Sequence, residues 1–152
     1  MTTSERPVTP AEEAIERVAL RQDARAAGDA RAATRRTLTR WLLPVATIEA
    51  VVLSVSELVT NAIRYGRPPV ALTLRRVTRG VRVDVRDEGS GRVNTARPAA
   101  AATALSGRGL AIVTALADSV GCDVMDGRPG KTMYATFLLS ALATTTLMTR
   151  LV

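Results

Sequence analysis

The clearest pattern in the chain lies in Ile48–Gly66, IEAVVLSVSELVTNAIRYG, whose apolar residues recur with the period of an α-helix. At about 100° per residue, one face of this helix is apolar and consists of Ile48, Val51, Val52, Val55, Val59, Ala62 and Ile63. The opposite face consists of Ala50, Ser54, Glu57, Asn61 and Arg64. Glu57 and Asn61 are four residues apart, so they are neighbours on adjacent turns. Together they can supply a general base and an oxygen ligand for Mg²⁺, or they simply belong to a solvated face.

The composition restricts the classes of function that the chain can have. Its 152 residues fit one domain, and with 47% hydrophobic but only 3% aromatic residues the core must be built from Ala, Val, Leu and Ile. Cys122 is the only cysteine, which excludes an intramolecular disulfide and favours a reducing compartment, the cytoplasm. The chain has no histidine, which excludes Ser–His–Asp triads, Cys–His pairs, histidine-rich zinc sites and a phosphorylated histidine within it.

The net charge of +7 makes nucleic acid a partner to consider. Nearly all of this charge is arginine, since Lys131 is the only lysine, and the arginines are spread along the chain. Few aromatic side chains are available for stacking on bases. We therefore predict no direct binding of nucleic acid. We also predict no membrane span, because no apolar run reaches roughly 18 residues.

The first third of the sequence is rich in Ala, Glu and Arg, which favours helices. Gly28 divides this region, and Thr9 and Asp29 are suitable caps for the helices on either side of it. The predicted elements are a disordered lead-in over 1–10, a helix over Ala11–Ala27 and a second helix from Ala30 to about Leu43.

The second half of the sequence alternates as strands do. Val81, Val83 and Val85 alternate with charged residues, which predicts a half-buried strand that forms a hairpin with the one before it. Its exposed arginines either bind an acidic partner or form a solvated sheet face. The predicted elements are strands over Val70–Val77 and Val81–Asp87, a loop over 92–106, a helix over Leu110–Ser119, and strands over Gly121–Met125 and Lys131–Leu139. For residues 140–152 a strand extension, a helix and a contact surface remain open.

Several polar and glycine-rich segments follow one another in an order that suits a purine nucleotide. Asp87 ends a strand, and its carboxylate can accept a hydrogen bond from the amino group of adenine. Gly89 and Gly91 would let the backbone approach the base closely. Gly107 and Gly109 begin a helix whose N–H groups can bind phosphates, as can the guanidinium of the intervening Arg108. Each fragment alone is more typical of an ordinary turn, and it is their order along the chain that indicates a nucleotide site.

These segments resemble the motifs of a known family. ELVTNAIRYG, DEGSG and GRGLAIV resemble the N, G1 and G2 boxes of the Bergerat-fold ATPases, which include gyrase, Hsp90, histidine kinases and MutL. The similarity covers roughly Ala30–Leu139. Spacing and length most resemble the stand-alone anti-sigma factor serine/threonine kinases of bacteria. The resemblance implies an α/β (α+β) two-layer sandwich, in which helices cover one face of a mixed, mostly antiparallel sheet.

The resemblance also implies roles for individual residues within one ATP-binding domain over 11–139. Asp87 would recognise adenine, and Thr132 would assist it through a water molecule. Glu57 would be the catalytic base, and Asn61 would hold Mg²⁺. The remaining nucleotide-binding residues would be Gly89, Gly91, Gly107, Arg108, Gly109 and Leu110. The loop over 92–106 matches the ATP lid.

The family's kinases phosphorylate a serine on an anti-anti-sigma (STAS-type) protein, sequester a sigma factor and are commonly homodimers. This chain is expected to do the same. A non-catalytic ATP-binding regulatory module and the catalytic fragment of a sensor histidine kinase remain alternatives. The two predicted N-terminal helices depart from the family, because many relatives begin with a strand and one helix.

Overall fold

The computed structural model describes residues 14–89 and 107–140. Its elements along the chain are β1 (Ile15–Val18), α1 (Ala26–Arg40), α2 (Val45–Tyr65), β2 (Ala71–Val77), β3 (Gly80–Asp87), α3 (Gly107–Leu116), β4 (Ser119–Val124) and β5 (Lys131–Leu138). The strands form one sheet in the order β1-β2-β3-β5-β4. Every strand pairing in this described part is antiparallel. The α+β fold class is therefore confirmed, with the described part of the sheet antiparallel throughout.

Helix α2 is the centre of the core, as its periodicity predicts. It lies against β3 and β5 of the sheet and between α1 and α3. Val51, Val55 and Val59 are completely buried, and so are Val81 and Val83 of the facing strand. Their burial removes branched aliphatic side chains from water, which is the main stabilising term for a core with so few aromatic residues.

The other side of α2 is less polar than the sequence pattern predicts. Ser54 is fully buried, although it falls on the predicted polar face, because α1 packs along α2 as well. By length and composition alone α2 would be apolar enough to cross a membrane. Its buried residues are instead those that face the sheet and the neighbouring helices, which makes it the core helix of this domain.

The N-terminal region corrects the sequence prediction. The predicted helix over Ala11–Ala27 is wrong, since Ile15–Val18 forms the edge strand β1 and pairs with β2. Gly28 does not break a helix but lies inside the first turn of α1. This helix begins after Asp23, whose side chain accepts a hydrogen bond of 2.8 Å from the backbone N–H of Arg25. The described part of the chain thus begins with a strand and one helix before α2, and the expected departure from the family is absent there.

The remaining boundaries differ by a few residues. Helix α2 begins three residues before Ile48, directly after Pro44, and α3 begins at Gly107 and ends before the predicted Ser119. Strand β4 then takes up Ser119 and Val120. The predicted lead-in over 1–10, the predicted lid over 92–106 and residues 141–152 lie outside the described residues.

Candidate nucleotide-binding site

Asp87 lies at the end of β3, on the face of the sheet that the helices cover. Its Oδ1 accepts a hydrogen bond of 2.7 Å from the backbone N–H of Gly89 and a weaker one of 3.4 Å from that of Arg67. The residue is only 2% exposed. Two backbone donors therefore fix one carboxylate oxygen, and within residues 14–89 and 107–140 no hydrogen bond to Oδ2 is formed.

The end of α2 closes tightly over Asp87. A Cβ on Gly66, the C-cap of this helix, would lie 2.5 Å from the Asp87 Cγ and 2.7 Å from its Oδ1. Such distances are too short for any side chain, so this position requires glycine. The absence of a side chain lets the end of α2, with Asn61 one turn earlier, come up to the end of β3.

Lys131 is the cross-strand partner of Asp87 on β5. Its ammonium Nζ lies 3.7 Å from the Asp87 Oδ2, and the residue is buried. The sequence reasoning did not assign it a role. The signal available was its position as the only lysine, at the start of the last strand after a glycine turn.

Thr132 does not join this group. It pairs with Arg86 rather than Asp87, and successive strand residues point to opposite faces of a sheet. Its side chain therefore belongs to the face away from Asp87. The expectation that Thr132 assists in adenine recognition is corrected, and Lys131 occupies that place beside the carboxylate.

Glu57 lies where α2 meets the beginning of α3. Its carboxylate is so close to Gly109 that a Cβ at position 109 would collide with Oε2. Glu57 itself is half-buried, and Arg108, the preceding residue of α3, is exposed. Gly109, in the first turn of α3, thus lies beside the carboxylate of Glu57.

Asn61 lies one turn after Glu57 on the same helix and is half-buried. Residues 14–89 and 107–140 contain no group of three or more His, Cys, Asp or Glu that could enclose a metal ion. Mg²⁺ is usually held by one or two protein oxygens together with substrate phosphates, so a single half-buried amide oxygen one turn from Glu57 fits this ion.

One more group lines the sheet near Asp87. Cys122 of β4 pairs with Met133 of β5 on the helix-covered face. Burial raises the pKa of the Cys122 thiol above its ordinary value, and the charges of Asp123 and Asp87 act in the same direction. The ammonium of Lys131 lowers it. The thiol is therefore close enough to sense the Lys131–Asp87 pair.

A separate groove of about 440 Å³ runs between β1 and α1. Arg21 and Arg40 line it and form ion pairs with Asp29 and Glu16, at 3.3 and 2.9 Å. None of the predicted nucleotide-binding residues lies there, so the groove is distinct from the candidate site.

The fold and this arrangement define a class of protein, an ATP-binding domain in which a helix N-terminus lies near the middle of one core helix and a strand-end carboxylate lies at the C-terminal end of that helix. The family model of the histidine kinase-like ATPase domain matches residues 20–137. The chain belongs to this family, and membership implies that it binds ATP.

A solved structure has the same fold. The RsbU and RsbW domains of Rv1364c from Mycobacterium tuberculosis match with a TM-score of 0.62 and 23% sequence identity. The match covers 83% of this chain and 32% of that one, so the chain spans about a third of the length of the structure it resembles. At this identity the likeness shows the fold alone. A comparison with curated protein sequences gave no significant match.

The structure brings two groups of predicted residues to α2, one near its middle and one at its C-terminal end. Glu57 and Gly109 are in contact near its middle, and Asp87 and Gly89 lie at its C-terminal end. Arg108 and Leu110 flank Gly109 on α3. Gly91 lies outside the described residues.

Proposed function

We propose that the chain is an ATP-dependent protein serine/threonine kinase that acts as a cytoplasmic anti-sigma factor. Its substrate would be a serine of an anti-anti-sigma (STAS-type) partner, its second partner a sigma factor, and its working form a homodimer. The three motif boxes support this reading, and so does the fold shared with a structure that contains an RsbW domain.

The observation that carries the catalytic part of the proposal is the position of Glu57 against the N-terminus of α3. Phosphates bound by the N–H groups of this helix and by Arg108 would place the γ-phosphorus near the carboxylate. The serine oxygen would attack that phosphorus while its proton passes to a Glu57 oxygen, and the bond to the leaving ADP oxygen would break.

Two further residues hold the nucleotide in this scheme. Asp87 would accept a hydrogen bond from the adenine amino group through Oδ2, the oxygen that faces Lys131. The Asn61 amide oxygen would be the protein ligand of Mg²⁺, which when bound neutralises negative charge on the phosphates. A non-catalytic ATP-binding module would keep both of these contacts but would not need Glu57.

The decisive experiment is phosphotransfer by Glu57→Ala with ATP, Mg²⁺ and the cognate anti-anti-sigma protein. We expect the rate to fall by about 10²- to 10⁴-fold, because a positioned general base typically contributes that much, while ATP binding persists. Glu49→Gln is the matched control, since Glu49 lies on the same helix and is exposed and ion-paired with Arg35 at 2.9 Å. Equal rates in the Glu57 variant and the parent protein would refute the catalytic role and favour the non-catalytic module.

A further inference from the structure

The buried ammonium of Lys131 is the starting point. Its side chain is 11% exposed, and lysine is rarely buried without partners. Within residues 14–89 and 107–140 its ion-pair partner is Asp87, at 3.7 Å. That separation exceeds a direct hydrogen bond, so the pair is attracted electrostatically while the three N–H donors and the Asp87 Oδ2 stay unused by each other.

The neighbouring contacts determine which way the pair faces. Oδ1 of Asp87 is bound by the backbone N–H groups of Gly89 and Arg67, and Gly66 packs against the carboxylate. Rotation of the carboxylate would break these hydrogen bonds. Oδ2 and the ammonium are therefore presented side by side, as one fixed acceptor next to one donor.

This acceptor–donor pair is complementary to the edge of adenine in its hydrogen bonding. Adenine carries a donor, the 6-amino group, directly beside an acceptor, N1. Guanine carries an acceptor, O6, beside a donor, N1–H. Guanine in the same orientation would place O6 against the carboxylate and N1–H against the ammonium.

We infer that Lys131 is a specificity-determining residue that donates a hydrogen bond from Nζ to N1 of the purine while Asp87 accepts from the 6-amino group. The inference rests on the proposed placing of the base beside Asp87. It assigns to Lys131 direct recognition of the base, in the position where Thr132 was expected to act through water.

The test uses an analogue that changes only the atom in question. 1-Deaza-ATP keeps the 6-amino group but has C–H in place of N1. We expect the parent protein to bind it about tenfold or more weakly than ATP in equilibrium titrations, because the analogue leaves a buried charged donor without its acceptor. In Lys131→Met the preference for ATP over 1-deaza-ATP should disappear.

Two further variants keep the result interpretable. Arg128→Met removes one positive charge from the exposed turn before β5 and should keep the full preference, which controls for general attraction of the nucleotide anion. Lys131→Gln keeps an N–H donor and should retain part of the preference even if the methionine variant folds poorly.

Each outcome bears on the inference. Equal binding of ATP and 1-deaza-ATP by the parent protein would overturn the role of Lys131 and leave the proposed function intact. A preference that survives in Lys131→Met would overturn it as well, because another group would then read N1. Failure of the parent protein to bind ATP would instead overturn the nucleotide site on which the proposed function depends.

Discussion

Two aspartates three residues apart on β3 are both buried, yet they are bound in opposite ways. Asp84 is 8% exposed and receives hydrogen bonds from two guanidinium groups, those of Arg75 at 3.0 Å and Arg82 at 2.8 Å, one on each oxygen. Among residues 14–89 and 107–140, Asp87 receives hydrogen bonds, both from backbone N–H groups, on Oδ1 alone. A carboxylate satisfied on both oxygens stabilises the sheet, whereas one that is fixed on a single oxygen is prepared for a ligand.

The surroundings of the two residues fit this difference. Arg82 also lies over the ring of Tyr134, 4.2 Å from its centroid, and contacts Asp123 at 3.5 Å. On the outer face of the sheet, Arg75 and Arg82 thus lie beside Asp84, and Arg86 lies beside Glu88. This agrees with a solvated sheet face, one of the two interpretations of the alternating arginines.

The largest effect on ATP affinity is expected from Asp87→Asn. The N–H groups of Gly89 and Arg67 will hold the new amide oxygen in the place of Oδ1, so the amide NH₂ will face Lys131 and the adenine amino group. Donor then faces donor. ATP affinity should fall about 10- to 100-fold in equilibrium titrations, the range for a lost hydrogen bond to a charged group.

Asp84→Asn is the matched control for that experiment. It should leave ATP affinity unchanged and lower the free energy of unfolding by about 1 kcal/mol, because one guanidinium loses its charged acceptor. Unchanged ATP binding in the Asp87 variant, or an equal loss in both variants, would remove the distinction between the two aspartates.

A smaller effect is expected from Gly66→Ala. The added methyl group would lie 2.5 Å from the Asp87 Cγ and 2.6 Å from the carbonyl oxygen of Ala62, so the helix end or the carboxylate must move. Overpacking of this kind costs about 1–3 kcal/mol, which urea unfolding would measure, and ATP binding should weaken with it.

Gly28→Ala offers the contrasting case. A Cβ there meets only Arg31 Nη2 at 3.7 Å, an ordinary contact, and Gly28 lies inside α1. We expect a gain of about 0.4–1 kcal/mol in the free energy of unfolding and no change in ATP affinity. If both alanine variants are equally stable, the close packing of Gly66 on Asp87 is not a requirement of the fold.

The parts of this fold that the sequence predicts well are those with a strong local period. Helix α2 and the β2–β3 hairpin follow directly from their apolar repeats. Strand β1 was missed because its four residues, IERV, lie within a helix-favouring composition and gain their strand conformation from pairing with β2, more than fifty residues later. Non-local pairing of this kind leaves little trace in the local sequence.

The candidate site was likewise only partly predictable from the sequence. Glu57, Asn61 and Asp87 follow from motif order, and the structure places Glu57 and Asp87 at contacts with the predicted glycines Gly109 and Gly89. It was not predictable that Lys131, and not Thr132, lies beside Asp87, because a shift of one residue reverses the face of every side chain on a strand. That register depends on how β5 pairs with β3. In addition, a charged residue such as Lys131 is by default expected in solvent and not beside a buried carboxylate.

The smallest effect is expected on the pKa of the Cys122 thiol, which responds to the positive charge of Lys131 beside Asp87. Burial raises the pKa of this thiol, Lys131 lowers it, and Asp123 raises it. Thiolate is the form that iodoacetamide alkylates, so the pH midpoint of alkylation follows this pKa.

Lys131→Met should shift the midpoint to higher pH and slow alkylation near neutrality, whereas Asp123→Asn should shift it to lower pH. Since Cys122 is the only cysteine, the rate needs no correction for other thiols. A midpoint that does not move in Lys131→Met would mean that the ammonium is not held near Cys122 beside Asp87, and the proposed donor next to Oδ2 would be lost.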